Sequence, residues 1–550
     1  MNKLLISVAA LLLSGTLQAM VHDPVAIDAD PAVATSPIAP SLTDLGDYSM
    51  PVTTSVAASQ QFFDQGLRLT YGFNHSEALR AFKEAVRLDP DNAMAYWGWA
   101  LVLGPNINLP MQADVAEQAF AAMQKAIARK DRVSRREQAW IDALSERYAP
   151  VAPDNRRDLD EAYASAMGEL IRQYPDDLDA RTLYGAALMN LSPWDYWQGD
   201  GRPKPTTVEI MQNFERVLAA DPRHPGALHY YIHTVEVAQP DKAVTAADTL
   251  LNLMPGAGHM VHMPSHIYMR VGRYQDSYDA NRRASDADAQ YIAQCNAQGI
   301  YPLNYYPHNL HFLVWSAMFQ GRSEAALAGA REVESKIPDE FAHGSAEIFR
   351  SQPMYVMVRF GLWDQALAEP RPADHLSFMN GVWHYMRGMA YINTGKRRQA
   401  ERELKSLRRL QKNLDDDYIV GFGTVTRLLT IAELVLTGEI SAKRNRYDDA
   451  IASLSRAVRL EDSLLYSEPP DLYFPTRHVL GAVLMDAGLP VEAATVYWQD
   501  LRKNPENGYS LFGLSRAFDA LGDQSSAMQF QKRFTQAWSS ADVDLKSSRF

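Results

Sequence analysis

Cysteine and clustered positive charge are nearly absent from this chain of 550 residues, which has a single cysteine, Cys295. One cysteine excludes an intrachain disulfide framework and any metal or iron–sulfur site built from several thiolates. The chain carries 54 Lys and Arg against 66 Asp and Glu, a net charge of −12, and no segment forms a basic stripe. We therefore expect no nucleic-acid partner. Hydrophobic residues make up 47% of the chain, which excludes disorder over its whole length.

The common catalytic signatures are also missing. The sequence contains no G-x-S-x-G elbow, no Walker-type G-x-x-x-x-G-K-[ST], no dinucleotide G-x-G-x-x-G and no H-E-x-x-H. We therefore expect no nucleotide cofactor. The sequence alone leaves open whether the protein is an enzyme.

The first nineteen residues have the features of a secretory signal peptide. Lys3 precedes an apolar run from Leu4 to Leu13, and small residues lead to Ala19 as the cleavage point. The run is too short to span a bilayer, so we expect a periplasmic or secreted chain without membrane insertion after signal cleavage. Residues 20–56 are rich in Pro, Ala, Asp, Ser and Thr without helical periodicity, which predicts a flexible leader.

From residue 57 onward the pattern is helical and repeats. One unit of the repeat places small and aromatic residues at Gly66, Ala78, Phe82 and Ala85 and closes at Pro90. Near the other end the same spacing recurs at Leu480, Gly481, Ala493, Tyr497 and Pro505. Between them, five segments have the composition of a turn between two helices: GRYQDSY, GRSEAAL, GLWDQAL, GKRRQAE and NRYDDAI.

This spacing resembles the tetratricopeptide repeat (TPR), in which small residues let two antiparallel helices approach closely. The resemblance implies an all-α fold, a TPR-like α-solenoid of stacked helix pairs forming a superhelix with a concave groove. An irregular helical bundle is the alternative. We divide the chain into N-terminal repeats (57–222), His-rich central repeats (223–340), C-terminal repeats (341–540) and a tail (541–550). Aromatic-rich insertions, including 192–207, could fold over the array and narrow its groove.

The histidines are unevenly placed, because eleven of the fourteen lie between His224 and His384. The TPR resemblance implies that positions 2, 5 and 9 of each first helix face the groove. Three successive first helices offer nine such positions, and Gly226 and Trp315 occupy two of them. The other seven are histidines: His229, His233, His259, His262, His266, His308 and His311.

Histidines four residues apart lie on one helix face, where two imidazoles can bind one ion. Imidazole and carboxylate suit divalent transition metals, and we expect zinc or copper in preference to iron. The sequence therefore predicts metal ligands on three helices, with Glu236 and His259 as second-shell or alternative ligands. The predicted ligands are His229, His233, His262, His266, His308 and His311.

Two other functions of these residues stay open: a metal-free anion or carboxylate pocket and a structural polar network. Arg270 is predicted to bind a ligand carboxylate or to form a salt bridge with a neighbour, and Trp315 is predicted to line the groove. TPR proteins in general hold a peptide or protein partner in the groove, and a small molecule is also possible here. The two hypotheses are a metal-binding groove, with or without catalysis, and a non-catalytic periplasmic scaffold.

Overall fold

The computed structural model describes residues 31–550 except 296, 298–300, 416–417, 422 and 473. The predicted signal peptide, residues 1–19, and the first part of the predicted leader lie outside the described residues. Within the described part, regular structure is almost entirely helical, which confirms the all-α prediction. It includes one short antiparallel hairpin, β1 (Ile419–Val420) and β2 (Gly423–Thr424). None of the helices in the described ranges has the length and apolar content needed to cross a membrane.

The chain divides into two compact units. Unit 1 comprises residues up to 267 together with 283–302, and unit 2 comprises 268–282 together with 303–550. The helices of unit 1 are α1 (Ala57–Tyr71), α2 (His75–Leu88), α3 (Ala93–Leu103), α4 (Ala116–Ile127), α5 (Arg135–Ser145), α6 (Arg157–Gln173), α7 (Leu178–Asn190), α8 (Pro205–Ala220), α9 (Pro225–Val235), α10 (Val244–Leu250) and α11 (Gly258–His262).

The unit boundaries fall within α12 (Pro264–Arg270), within α13 (Tyr274–Cys295) and within the turn at Tyr301–Tyr305. The helices of unit 2 are α14 (Tyr306–Phe319), α15 (Ser323–Ser335), α16 (Glu347–Arg350), α17 (Gln352–Arg359), α18 (Trp363–Ala368), α19 (Ser377–Asn393), α20 (Arg397–Gln411), α21 (Val425–Ala442), α22 (Tyr447–Glu461), α23 (Thr476–Asp486), α24 (Pro490–Lys503), α25 (Gly508–Ala520) and α26 (Gln524–Ala537). Short 3₁₀ or π turns occur at Pro31–Val33, Ala113–Val115, Lys130–Arg132, Pro240–Ala243, Tyr301–Tyr305, Asp339–Phe341 and Gly344–Ala346.

Consecutive helices pack as hairpins, and the turns fall where the sequence predicts them. In each unit, most helices contact the next helix along the chain. The five predicted turn segments begin at residues in the left-handed region, with φ between 56° and 80°. Glycine occupies four of these positions and Asn445 the fifth, because a left-handed residue that ends a helix tolerates a side chain poorly. The predicted helical-hairpin repeat is therefore confirmed within each unit.

The predicted small and aromatic residues pack as the repeat requires. The Phe82 ring of α2 lies between Gly66 of α1 and Gly98 of α3, and a Cβ at Gly66 would lie 2.8 Å from the ring. A Cβ at Gly98 would overlap the ring. In unit 2, the Tyr497 ring occupies the same place between two glycines. In these two repeats, a large ring on the second helix thus fills the gap between two closely approaching first helices.

Residues 34–56 form an extended segment that is hydrogen-bonded to the helices of unit 1, in contrast to the flexible leader that the sequence predicted. Polar composition suggested flexibility, but the polar groups here pair with buried side chains. Carboxylates of Asp64, Glu84 and Glu137 accept from this segment. The hydrogen bonds are Ile38 N to Glu84 (2.8 Å), Leu42 N to Gln65 (2.9 Å), Tyr48 Oη to Asp179 (2.8 Å), Ser49 Oγ to Asp64 (2.8 Å) and Thr53 N to Glu137 (2.6 Å).

Asp500 anchors the end of α24 through a buried network in unit 2. Its carboxylate accepts hydrogen bonds from His478 Nε2 (2.7 Å), Asn507 (2.8 Å), Ser510 (2.6 Å) and Asn504 (2.9 Å). Burial acts to raise the pKa of Asp500, but the interaction with His478 and these donors outweighs burial and lowers the pKa to about 2.

Asp500 is expected to make unit 2 sensitive to acid. Because its pKa is lowered in the folded state, its contribution of about 2 kcal/mol is present above pH 4 and is lost as the pH falls toward 2. Asp500→Asn is expected to lower the free energy of unfolding at pH 7 and to flatten its dependence on pH between 4 and 2. Urea titrations at several pH values measure both effects. Asp448→Asn on the surface is the control, and equal acid sensitivity of wild type and Asp500→Asn would contradict the assignment.

Candidate metal centre

Helix α9 carries His229 and His233 on one face. It begins at Pro225, whose fixed φ suits the first helical turn, and the His224 side chain caps it by accepting from the backbone N–H of Ala227 (3.2 Å). Every residue of α9 is buried, because the helix packs against α1 and α7 as well as against its neighbours in the chain. Residues four apart face the same direction, so both imidazoles point into the interior of unit 1.

A broken helix places the next three histidines. Helix α11 ends at His262 and α12 begins at Pro264, because proline lacks the backbone N–H that a continuous helix needs. Gly258 starts α11 where any Cβ would overlap the carboxylate of Asp288. The His262 and His266 Nε2 atoms lie 3.0 Å apart across the break. His259 is also buried, and its backbone N–H donates to the hydroxyl of Tyr301 (3.4 Å).

We call the resulting group the histidine cluster. Two triads of ligands lie within it, and His233 belongs to both. In each triad, the three ligand atoms lie within 4.8 Å of one another. The ring centroids of His229 and His259 are 5.0 Å apart, and those of His233 and His266 are 5.4 Å apart. Side chains at this spacing can converge on one ion. The cluster comprises His229, His233, Glu236, His259, His262 and His266, and its triads are His229–His233–His259 and His233–Glu236–His266.

A hydrogen bond fixes the tautomer of His229. Its Nδ1–H donates to the backbone carbonyl of Tyr71 at 2.5 Å, so Nε2 carries the lone pair. That Nε2 atom is buried and has no hydrogen-bond partner. A ring nitrogen oriented by a backbone carbonyl, with the other nitrogen unpartnered, is the arrangement typical of a metal-ligating histidine.

Glu236 places a negative charge inside the cluster. It follows α9 directly, is fully buried, and lies 3.0 Å from His266 Nδ1 and 3.6 Å from His233 Nδ1. Burial acts to raise its pKa, but His266 and His233 outweigh burial and lower the pKa to about 2. Burial lowers the pKa of His233 and holds that of His229 well below its ordinary value. At neutral pH the cluster therefore offers the Glu236 carboxylate beside the neutral imidazoles of His229 and His233, which is a donor set for a cation.

Two aromatic residues form walls around the cluster. Phe73 lies between α1 and α2 with φ of 57°, and its ring centroid is 4.5 Å from that of His229 and 5.8 Å from that of His259. Trp194, in the predicted insertion at 192–207, also has positive φ, and its ring lies edge-on to His233 at 5.1 Å. A bulky residue in the left-handed region loses about 1–2 kcal/mol, and such strain concentrates at functional sites.

Four of the residues that the sequence predicted for the site lie in unit 2 and are described there. His308 and His311 are on α14. The His308 ring is 5.1 Å from that of Phe312, and burial lowers the pKa of His311 to about 3. Trp315 is buried on the same helix. Arg270 lies 3.8 Å from the carboxylate of Glu468, so the structure contains the neighbouring ion pair that was one of its two predicted roles.

Within unit 1, the structure brings together five of the predicted histidines and Glu236. His259, predicted as a second-shell or alternative ligand, belongs to a triad. Sequence reasoning did not single out Phe73 or Trp194. Phe73 is 156 residues from His229 in the sequence, and the signal that could have identified it is an aromatic residue at a turn where the other hairpins have glycine or asparagine.

Comparisons with known proteins give a distant likeness in fold. No protein-family model matches the chain, and no curated protein matches it. Solved structures that are similar include the human IFIT1 dimer with m7Gppp-AAAA, at 12% identity over 88% of this chain and 91% of that chain, with a TM-score of 0.30. A tetratricopeptide repeat protein from Parabacteroides merdae ATCC 43184 is 11% identical over 64% of this chain and 98% of its own, with a TM-score of 0.31. Yeast Tom70 is 12% identical over 87% and 92%, with a TM-score of 0.26. The TPR-like architecture is evident from the helical hairpins of this chain itself.

Proposed function

We propose that this TPR-like protein binds a divalent transition-metal ion in the histidine cluster of unit 1. The observation that supports the proposal is that two triads of buried ligands share His233 and so bring four imidazoles and the Glu236 carboxylate together. His233 is the central ligand because it belongs to both triads. His229 and His259 complete one set of donors, and Glu236 and His266 complete the other.

Unsatisfied polar atoms support a metal over a structural network. His229 Nε2 and both ring nitrogens of His233 are buried without a hydrogen-bond partner. Each such atom destabilises a fold by about 1–3 kcal/mol unless something compensates for its lost hydration. A bound cation would accept the one lone pair that each neutral imidazole offers and would offset the charge of Glu236, which a network of neutral imidazoles does not.

The donor chemistry favours zinc or copper over iron. The cluster offers nitrogen and carboxylate oxygen but no thiolate, and imidazole-rich sites suit zinc and copper(II). A bound ion with an open position would supply a Lewis acid that activates water or polarises a carbonyl. The chain's own residues orient the imidazoles, through Tyr71 at His229, and exclude water, through Phe73 and Trp194.

Export to the periplasm or the medium is part of the proposal and is based on the signal-like residues 1–19. The helical hairpins also suit a scaffold that holds a peptide, a protein or a small molecule. A scaffold without metal is the alternative function, and metal analysis distinguishes the two.

Metal content of the purified protein is expected to decide between these functions. Wild-type protein, purified without chelator and dialysed, is expected to contain about one zinc or copper ion per chain by mass spectrometry. The His233→Ala, His266→Ala double variant is expected to contain none, because it removes ligands from both triads.

His384→Ala is the matched control for this measurement. His384 also contacts a carboxylate, Glu403 at 2.7 Å, but lies in unit 2 outside the cluster, so its loss is expected to leave the metal content unchanged. Wild-type protein that stays metal-free after incubation with zinc and with copper would overturn the proposal and favour the scaffold.

A further inference from the structure

A second site in unit 1 is a pocket that has Phe73 in its wall, as the histidine cluster does. Its enclosed volume is about 40 Å³ and its mouth is open to solvent, so a ligand would place a small anionic group inside and the rest of its body at the mouth. We call it the arginine pocket, because Arg147 is its permanently charged residue and none of its described lining residues is acidic. Its lining includes Phe73, His75, Arg147, Tyr163, Asn190 and Tyr230.

Arg147 is buried without a carboxylate partner. It is 3% exposed, and among the ion pairs of the described residues none includes it. One guanidinium nitrogen, Nη2, donates to the backbone carbonyl of Pro105 (2.7 Å), and the group lies 4.8 Å from the centre of the Tyr163 ring. Its Nε–H is buried and has no partner. A buried guanidinium without a counter-ion is strongly unfavourable, so a ligand anion would remove this instability.

Gly104 leaves the space that the guanidinium of Arg147 occupies. A Cβ at Gly104 would lie 2.7 Å from Arg147 Nη1 and 2.7 Å from the Tyr148 hydroxyl, so a side chain at this position would displace these groups. The nearby Arg156 differs, because it is paired with Asp160 at 2.9 Å and does not line the cavity. Arg156 thus has a carboxylate partner, whereas Arg147 has none among the ion pairs of the described residues.

The other polar side chains of the pocket are uncharged at neutral pH, so Arg147 is its charged group. Burial and the charge of Arg147 lower the pKa of His75 to about 4, and its Nδ1–H donates to the backbone carbonyl of Val102 (3.1 Å). Asn190 Oδ1 is buried without a partner and can accept from a hydroxyl or amine of a ligand. The pocket is thus positive, and its few polar groups are already oriented.

The rest of the lining is mostly apolar, with Thr70 and Asn106 as further polar residues, and two of its rings also lie beside His229. Phe73 and Tyr230 stack at 5.5 Å in the wall of the pocket, and their rings lie 4.5 Å and 5.2 Å from the ring of His229. A ligand held at Arg147 by an anionic group would therefore extend an apolar body along Leu101, Leu183 and Met189 toward the Phe73 wall.

We propose that the arginine pocket binds a small monocarboxylate with an apolar body, with its carboxylate on Arg147. Carboxylate fits better than phosphate, because one guanidinium matches one negative charge and no second cationic side chain lines the described pocket. The site is distinct from the metal ligands, so the proposal goes beyond the proposed function and holds in metal-free protein.

The test measures ligand binding in protein freed of metal with 1,10-phenanthroline, since EDTA is itself a carboxylate. Hexanoate and benzoate are expected to bind and to raise the melting temperature, whereas hexanol, benzamide and inorganic phosphate do not. Calorimetry is expected to show about 10- to 100-fold weaker binding of benzoate to Arg147→Gln, because a charge-assisted hydrogen bond is lost. Arg147→Lys keeps the positive charge but loses the planar guanidinium, and it is expected to bind benzoate about 10-fold more weakly than wild type. It replaces Arg147→Gln in the test if that variant fails to fold.

Arg156→Gln is the matched control, since it removes a neighbouring arginine that already has a carboxylate partner, and it is expected to bind benzoate as wild type does. The proposal is overturned if neither carboxylate binds, if Arg147→Gln and Arg147→Lys bind as tightly as wild type, or if phosphate binds as tightly as benzoate. Loss of binding in Arg156→Gln would also overturn it. A metal-free histidine cluster would leave every one of these results unchanged, so the two proposals fail separately.

Discussion

Zinc is expected to raise the melting temperature of metal-stripped protein by roughly 10 °C. A ligand that binds only the folded state stabilises it by about 4 kcal/mol when its free concentration exceeds the dissociation constant a thousandfold. For a unit of this size, that free energy corresponds to roughly 10 °C. The effect is large because the cluster is assembled only in the folded chain, where Glu236 and the imidazoles are buried together.

His233→Ala is expected to abolish this zinc-dependent shift, and Glu236→Gln to reduce it. His233 belongs to both triads, so its loss is expected to weaken zinc binding by on the order of 100-fold or more. The readout is the difference with and without zinc for each variant, so any cavity left by the substitution cancels. Differential scanning calorimetry measures it, and a shift in His233→Ala equal to that of wild type would show that zinc binds elsewhere.

Gly98→Ala is expected to destabilise unit 1 by about 3 kcal/mol, although alanine favours helices by about 1 kcal/mol over glycine. The added Cβ would overlap the Phe82 ring, which already fills the gap to Gly66. The ring has no free space to move into, because Phe82 is fully buried. Urea unfolding monitored by circular dichroism measures the loss.

Two further variants test whether the overlap is the cause. Gly98→Ala combined with Phe82→Leu is expected to recover part of the loss, because the smaller side chain leaves room for the methyl group, and a double-mutant cycle measures this coupling. Gly199→Ala is the control, since nothing lies within 4 Å of its Cβ position, and it is expected to be neutral. Equal stability of Gly98→Ala and wild type would contradict the packing account.

The hairpins could be predicted from sequence because their determinants are local. Gly66, Phe82 and Pro90 recur at fixed spacing, and the turn segments fall within a few residues of the helices they join. Packing between neighbouring helices then follows from the same residues. For the same reason the pairs His229–His233 and His262–His266 could be predicted, since each is a contact between residues four apart on the chain.

The rest of the site depends on contacts between distant segments, which a repeat pattern does not encode. His259, on α11, completes a triad with His229 and His233 of α9, a contact between different helices that spacing along the chain does not specify. Arg147 belongs to no sequence motif. It is notable because it is buried without a carboxylate partner among the described residues, and sequence does not reveal this. His308 and His311 share the predicted groove positions of the other histidines and lie in unit 2, so their role as ligands stays a prediction.

The segment formed by residues 34–56, before α1, determines where a recombinant version of the protein can begin. A shortened version beginning at Ala57, where the repeats begin, would omit every donor that this segment supplies. The carboxylates of Asp64, Glu84 and Glu137, each less than a tenth exposed, would then lose hydrogen bonds that they make inside the folded chain. Recombinant protein should therefore begin no later than residue 31, well upstream of the point that repeat boundaries would suggest.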